Sequence, residues 1–126
     1  FNAATGFGAL GFAPGAAVGA ALATDARVFC LIGDGGLQFS PAELRVAVDE
    51  GLDITYLVWN NAGYGEIAAA MRAANTDVIG CTPSPLGLEA FAAACGMPYA
   101  CIRPEPEAMA GAVTEPGPRL VEIRAY

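Results

Sequence analysis

Apolar positions along the chain change period several times, and each change marks an element. Val28-Phe29-Cys30-Leu31-Ile32 is an unbroken apolar run, which predicts a buried strand, and Gly33-Asp34-Gly35-Gly36 ends it. Leu44, Ala47 and Val48 recur at i, i+3 and i+4, so a helix over 41–50 turns that face to the sheet and leaves Arg45, Asp49 and Glu50 in water. Its start carries Ser40-Pro41-Ala42-Glu43: a serine to cap, a proline for the first helical position and a glutamate to close a capping box. Ile54 to Trp59 is a second apolar strand, stopped by Asn60-Asn61. Leu88, Phe91, Ala92 and Cys95 again have helical spacing, and Gly96 stops that helix. Further elements follow from composition: an Ala-rich helix over 14–23, a helical stretch to about residue 74, a strand over 97–102, a helix over 106–113 and a strand over 120–123. Two prolines hold 75–86 as a loop. The alternation of strand and helix predicts an α/β fold of three layers (αβα), with a mainly parallel sheet and helices on both faces.

Composition narrows the function. The chain has 126 residues, 55% hydrophobic, which suits one folded domain and excludes disorder. It begins at Phe1 with no initiator Met, so 1–126 is read as a single domain from a longer protein. A net charge of −7 with six Lys+Arg argues against nucleic acid or an anionic membrane as partner. The same balance means that a phosphorylated ligand here must be held by backbone N–H groups and a metal. Four cysteines without paired spacing, and no histidine, argue against zinc. Cys30, Cys95 and Cys101 lie in apolar segments and read as small core residues of a reducing cytoplasm.

The chemistry gathers at two strand ends. A strand–helix–strand unit puts the ends of its strands side by side, so Asp34 and Asn61 should meet at one sheet edge, where oxygen ligands suit a hard cation. Near the start, Gly6-Phe7-Gly8-Ala9-Leu10-Gly11 matches the dinucleotide pattern Gly-x-Gly-x-x-Gly. That pattern has meaning only after a strand and at the opening of a helix; no strand has room to precede it, and Pro14 is expected to delay the helix.

Gly33-Asp34-Gly35, a gap, then Asn60-Asn61 resembles the signature of thiamine-diphosphate-dependent enzymes, and the likeness extends over nearly the whole chain. It implies that magnesium is held by the Asp34 carboxylate, the Asn61 side chain and the Gly63 carbonyl. Gly33, Gly35, Gly36 and Tyr64 would lie around the diphosphate, with Asn60 tying the loop together. Gly8-Ala9-Leu10-Gly11-Phe12 resembles the segment under the cofactor, so the Gly8 carbonyl would receive the pyrimidine amine and Leu10 would wedge between the two rings. The implied activity is that of a 2-oxo acid decarboxylase or acetolactate synthase-like carboligase, a lyase or transferase. Its activating glutamate would come from a pyrimidine-binding domain, across a homodimer or homotetramer interface; no residue here matches it, so no catalytic residue is assigned to this chain. The run from Asn60 to Ile67 also resembles decarboxylases of guanidino-bearing 2-oxo acids. Glu66 would then hold a cationic tail, with Ile67 beside it; equally, Glu66 is a first-turn acid favoured by the helix dipole and Ile67 is core. A non-catalytic α/β nucleotide-binding module stays open as the alternative.

Overall fold

The computed structural model describes all residues from Phe1 to Tyr126. Its elements run α1 (Phe12–Leu22), β1 (Val28–Gly33), α2 (Asp34–Leu37), α3 (Ala42–Asp49), β2 (Ile54–Asn60), α4 (Gly65–Ala73), α5 (Leu88–Cys95), β3 (Tyr99–Ile102), α6 (Pro106–Ala112) and β4 (Arg119–Arg124). The four strands form one parallel sheet in the order β1-β2-β4-β3. This is the α/β architecture that the alternation of elements predicts.

One face of the sheet carries the main core. Cys30, Ile32, Ile54, Tyr56, Val58 and Leu120 point into a cluster completed by Ala17 and Val18 of α1, Leu44 and Ala47 of α3, and Leu88, Ala92 and Cys95 of α5. Losing a side chain such as the fully buried Leu44 to alanine would cost about 3 kcal/mol. The other face follows from handedness. The return from β3 to β4 runs opposite to the earlier crossovers, so a right-handed connection places α6 on the far side. There Val121 and Ile123 are fully buried.

That second face is open at its β1 end. Phe29 is 49% exposed and Leu31 65% exposed, while Cys30 and Ile32 between them are buried. The expectation of a buried strand therefore holds for one face only: β1 is an edge strand with its other face uncovered. An apolar run does not distinguish the two cases.

Four local expectations also give way. Ser40 does not cap α3; its Oγ donates to the Gly11 carbonyl at 2.7 Å, and Pro41 stands at the cap position. The hydroxyl is used to stitch the N-terminal loop to the sheet edge. Pro14 does not delay α1, which begins at Phe12. A proline in the first turn is tolerated because the N–H it lacks has no acceptor there. Cys101 is exposed on edge strand β3, so it is not a core residue, whereas Cys30, Cys81 and Cys95 are buried. Burial pushes the Cys30 thiol up to about 12. Strand β3 starts two residues later than expected: Pro98 has no N–H to give a neighbouring strand, and pairing opens where its carbonyl accepts the Leu120 N–H at 2.9 Å.

Candidate functional site

Parallel pairing of β1 with β2 sets the site. Gly33 lies opposite Trp59, so the residues that follow both strands leave the sheet at the same edge. Asp34 opens the one-turn α2 directly after β1 and is 6% exposed. A carboxylate so deeply buried needs partners. Its Oδ1 is approached by the Asn61 backbone N–H at 3.5 Å, a long and weak contact.

The Asn61 side chain supplies the informative geometry. One terminal atom of its amide lies 2.8 Å from the Gly63 carbonyl oxygen and 3.2 Å from Asp34 Oδ1. With the nitrogen turned inward, the amide donates to both. With the oxygen turned inward, three oxygens face one another, an arrangement that is repulsive by itself and that a cation at the centre reverses. Octahedral bonds of about 2.1 Å put neighbouring ligand oxygens about 3 Å apart, so both separations fit a small hard cation. The donors are a carboxylate, an amide and a backbone carbonyl; no group of three or more His, Cys, Asp or Glu side chains gathers anywhere in the chain.

Close packing holds this loop. Gly63 lies so near the Cys81 carbonyl that a Cβ there would sit 2.5 Å from that oxygen, and the Tyr64 N–H donates to the same carbonyl at 3.0 Å. Gly35 is pressed against the Tyr64 ring, where a Cβ would be 2.6 Å from Cε1. The 75–86 loop thus braces the site through Cys81. Behind it, Asn60 is anchored at both ends: its Nδ2 donates to Glu122 Oε1 at 2.9 Å, and its Oδ1 accepts the Ala62 N–H at 3.0 Å. Glu122 also receives the Tyr99 hydroxyl and Arg124 Nε. Burial alone would raise the Glu122 carboxyl, but the bonds from Arg124, Tyr99 and Asn60 outweigh it and hold the group below its ordinary range.

In front of the oxygens opens a cleft of about 870 Å³. Ala9, Leu10, Gly33, Asp34, Gly35, Gly36, Asn61, Gly63, Tyr64, Glu66 and Ile67 all border it. Gly8 does not; it lies exposed in the N-terminal loop, next to Ala9. The Leu10 side chain lies beside Gly36, with its Cδ2 3.8 Å from where a Cβ on Gly36 would be. No strand precedes the Gly-rich loop, so the dinucleotide pattern at 6–11 lacks the context that would give it meaning.

Periodicity did not single out Glu122 or Cys81. Glu122 had a signal: an acid at an inward position of the apolar strand Leu120–Ile123. Cys81 had none, because a backbone carbonyl leaves no trace in side-chain identity.

A family profile described as "Thiamine pyrophosphate enzyme, C-terminal TPP binding domain" matches residues 1–123. The chain belongs to this family. Over 125 residues this thiamine pyrophosphate-binding domain is 30% identical to the acetolactate synthase isozyme 1 large subunit of Escherichia coli K12, covering 94% of this chain and 22% of that one. It is 37% identical over 82 residues to a probable 2-ketoarginine decarboxylase of Pseudomonas aeruginosa, covering 63% of this chain and 14% of that one. Human 2-hydroxyacyl-CoA lyase 2 is 41% identical over 63 residues, 49% of this chain and 10% of that one. The domain therefore spans about a fifth or less of these relatives' length. None of its helices is long and apolar enough to cross a membrane.

Proposed function

We propose that this domain anchors thiamine diphosphate (thiamine pyrophosphate) through a magnesium ion held by Asp34, the Asn61 side-chain oxygen and the Gly63 carbonyl. The observation that carries the reading is the approach of the Asn61 amide to the other two oxygens at 2.8 and 3.2 Å beside a buried carboxylate. Gly33, Gly35 and Gly36 offer backbone N–H groups to a diphosphate, as the net charge of −7 requires. Tyr64 packs on Gly35 and limits how that cradle moves. Leu10 stands beside Gly36 at the edge of that cradle, and Ala9 and Gly8 continue the N-terminal loop beyond it. When bound, the cofactor supplies the carbon nucleophile that lets a 2-oxo acid release carbon dioxide.

The parent enzyme is, on this reading, a 2-oxo acid decarboxylase or an acetolactate synthase-like carboligase. Its activating carboxylate comes from another domain, across a subunit interface. The 126-residue chain alone should then turn over no 2-oxo acid; release of carbon dioxide from any such acid by the purified chain would overturn this. Calorimetry on the intact enzyme tests the metal. Asp34→Ala should weaken magnesium-dependent binding of thiamine diphosphate at least about tenfold, about 1.4 kcal/mol. Unchanged binding that ignores magnesium, or preferential binding of a nicotinamide nucleotide, would favour the non-catalytic module instead.

A finer reading concerns the substrate. Glu66 is exposed in the first turn of α4 and borders the same cleft as Ile67. The likeness to a probable 2-ketoarginine decarboxylase supports a carboxylate there that pairs with a guanidino tail. Glu66→Gln should raise KM for a guanidino-bearing 2-oxo acid about tenfold, about 1.4 kcal/mol, and leave acids with apolar tails unaffected. An unchanged ratio of kcat/KM between the two substrates would leave Glu66 as a solvated helix residue.

A further inference from the structure

Glu122 sits in the interior of the sheet, on β4 between Val121 and Ile123, and is 3% exposed. An ionised side chain there costs several kcal/mol unless it is fully paired, and an apolar residue of the same volume is often the more stable choice. Sheet stability alone therefore gives no reason for an acid. The directions of its hydrogen bonds give one.

Oε1 accepts from Asn60 Nδ2 at 2.9 Å and from Arg124 Nε at 3.0 Å, and Oε2 accepts from the Tyr99 hydroxyl at 2.5 Å. With its nitrogen committed to the carboxylate, the Asn60 amide cannot turn over, so its oxygen must face the Ala62 N–H at 3.0 Å. Ala62 has φ +60, in the left-handed region, which costs a residue with a Cβ about 1 kcal/mol. The bond from Asn60 holds it there. That bend folds the chain back within two residues, so that the Asn61 amide and the Gly63 carbonyl face Asp34 together.

We propose that Glu122 is a positioning residue for the ligand loop: acting through Asn60, it sets the left-handed turn at Ala62 and thereby aims the Asn61 and Gly63 oxygens at one point. The inference rests on the reading of Asp34, Asn61 and Gly63 as a cation site. Glu122 touches neither the cation nor the cofactor; it fixes the Asn60 amide, and Tyr99 and Arg124 fix Glu122.

The test titrates magnesium into the intact enzyme at saturating thiamine diphosphate, read by calorimetry, beside thermal unfolding without either ligand. Glu122→Leu and Asn60→Ala should each raise the half-saturating magnesium concentration about tenfold or more, the range found when partners of metal ligands are removed. The double variant should add little to either, because both cut one relay. Glu122→Gln keeps an acceptor for Asn60 and should stay within about threefold of wild type, about 0.7 kcal/mol. A purely structural role would lower the ligand-free melting temperature and leave the magnesium midpoint alone; midpoints within threefold of wild type for Glu122→Leu and Asn60→Ala overturn the proposal. If Glu122→Leu does not fold, Asn60→Ala against Glu122→Gln decides the matter on the same criterion. Asp34→Ala separates the two levels. A wild-type enzyme indifferent to magnesium removes the cation site and this inference with it. Magnesium dependence that Asp34→Ala abolishes but Asn60→Ala and Glu122→Leu leave intact removes this inference alone.

Discussion

At the scale of residues, the site is made as much by what is missing as by what is present. Gly63 has no side chain because the Cys81 carbonyl occupies the place where one would go, 2.5 Å from a Cβ. Backbone oxygen cannot swing aside like the end of a flexible side chain. Gly63→Ala should therefore push the loop off Cys81 and cost about 1–3 kcal/mol, the usual penalty of overpacking, seen as a lower melting temperature of the chain. An unchanged melting temperature would mean that the loop yields without strain. Asp34 and Asn61 were legible in the sequence because strand ends announce themselves: an apolar run stops, and a polar residue with a short side chain follows. The Cys81 brace and the Ser40–Gly11 bond were not, since each joins positions far apart through a backbone atom.

At the scale of elements, β1, α3 and β2 form the frame, and an ion pair holds its lower end. Arg27 Nε meets Asp53 Oδ2 at 3.2 Å, and the Arg27 guanidinium also donates to the Val113 carbonyl at 2.9 Å. Asp53 Oδ1 accepts the Gly117 N–H at 2.6 Å. The Gly117 bond first, and Arg27 after it, hold the Asp53 carboxyl below its ordinary 3.8 despite some burial. A depressed carboxyl contributes stability above its unfolded pKa and loses it as the pH falls through the folded value. Asp53→Asn should thus destabilise the chain near pH 7 by about 1 kcal/mol, a small figure because the pair is partly exposed and screened. The gap from wild type should narrow as the pH drops below about 4. Denaturant midpoints of both proteins across that range check it; a gap independent of pH would mean that the carboxylate charge contributes nothing. The helix periods of α3 and α5 were readable because one face of each meets the core. The capping box was not, because Ser40 had a better acceptor in a loop 29 residues away.

At the scale of the whole molecule, strand order decides what the cleft can contain. The sequence of crossovers puts the β1 and β2 termini at the same edge and sends α6 to the opposite face. Alternation of elements was enough to predict a parallel sheet, but not that its second face stays open beside β1. Nothing in five consecutive apolar residues says whether one side or both will be covered.

That open strand governs how the chain behaves among its own copies. β1 ends the sheet with a row of backbone groups that pair with no further strand, flanked by the outward rings and branches of Phe29 and Leu31. Such a rim is a template for another extended segment. Mutual repulsion at a net charge of −7 is the counterweight, and it is a long-range force that dissolved ions shorten to about 10 Å at 0.1 M. Colloidal behaviour should thus be a contest between a sticky border and a screened charge: light scattering on the chain is expected to show copies apart in dilute buffer and joining edge to edge as salt rises.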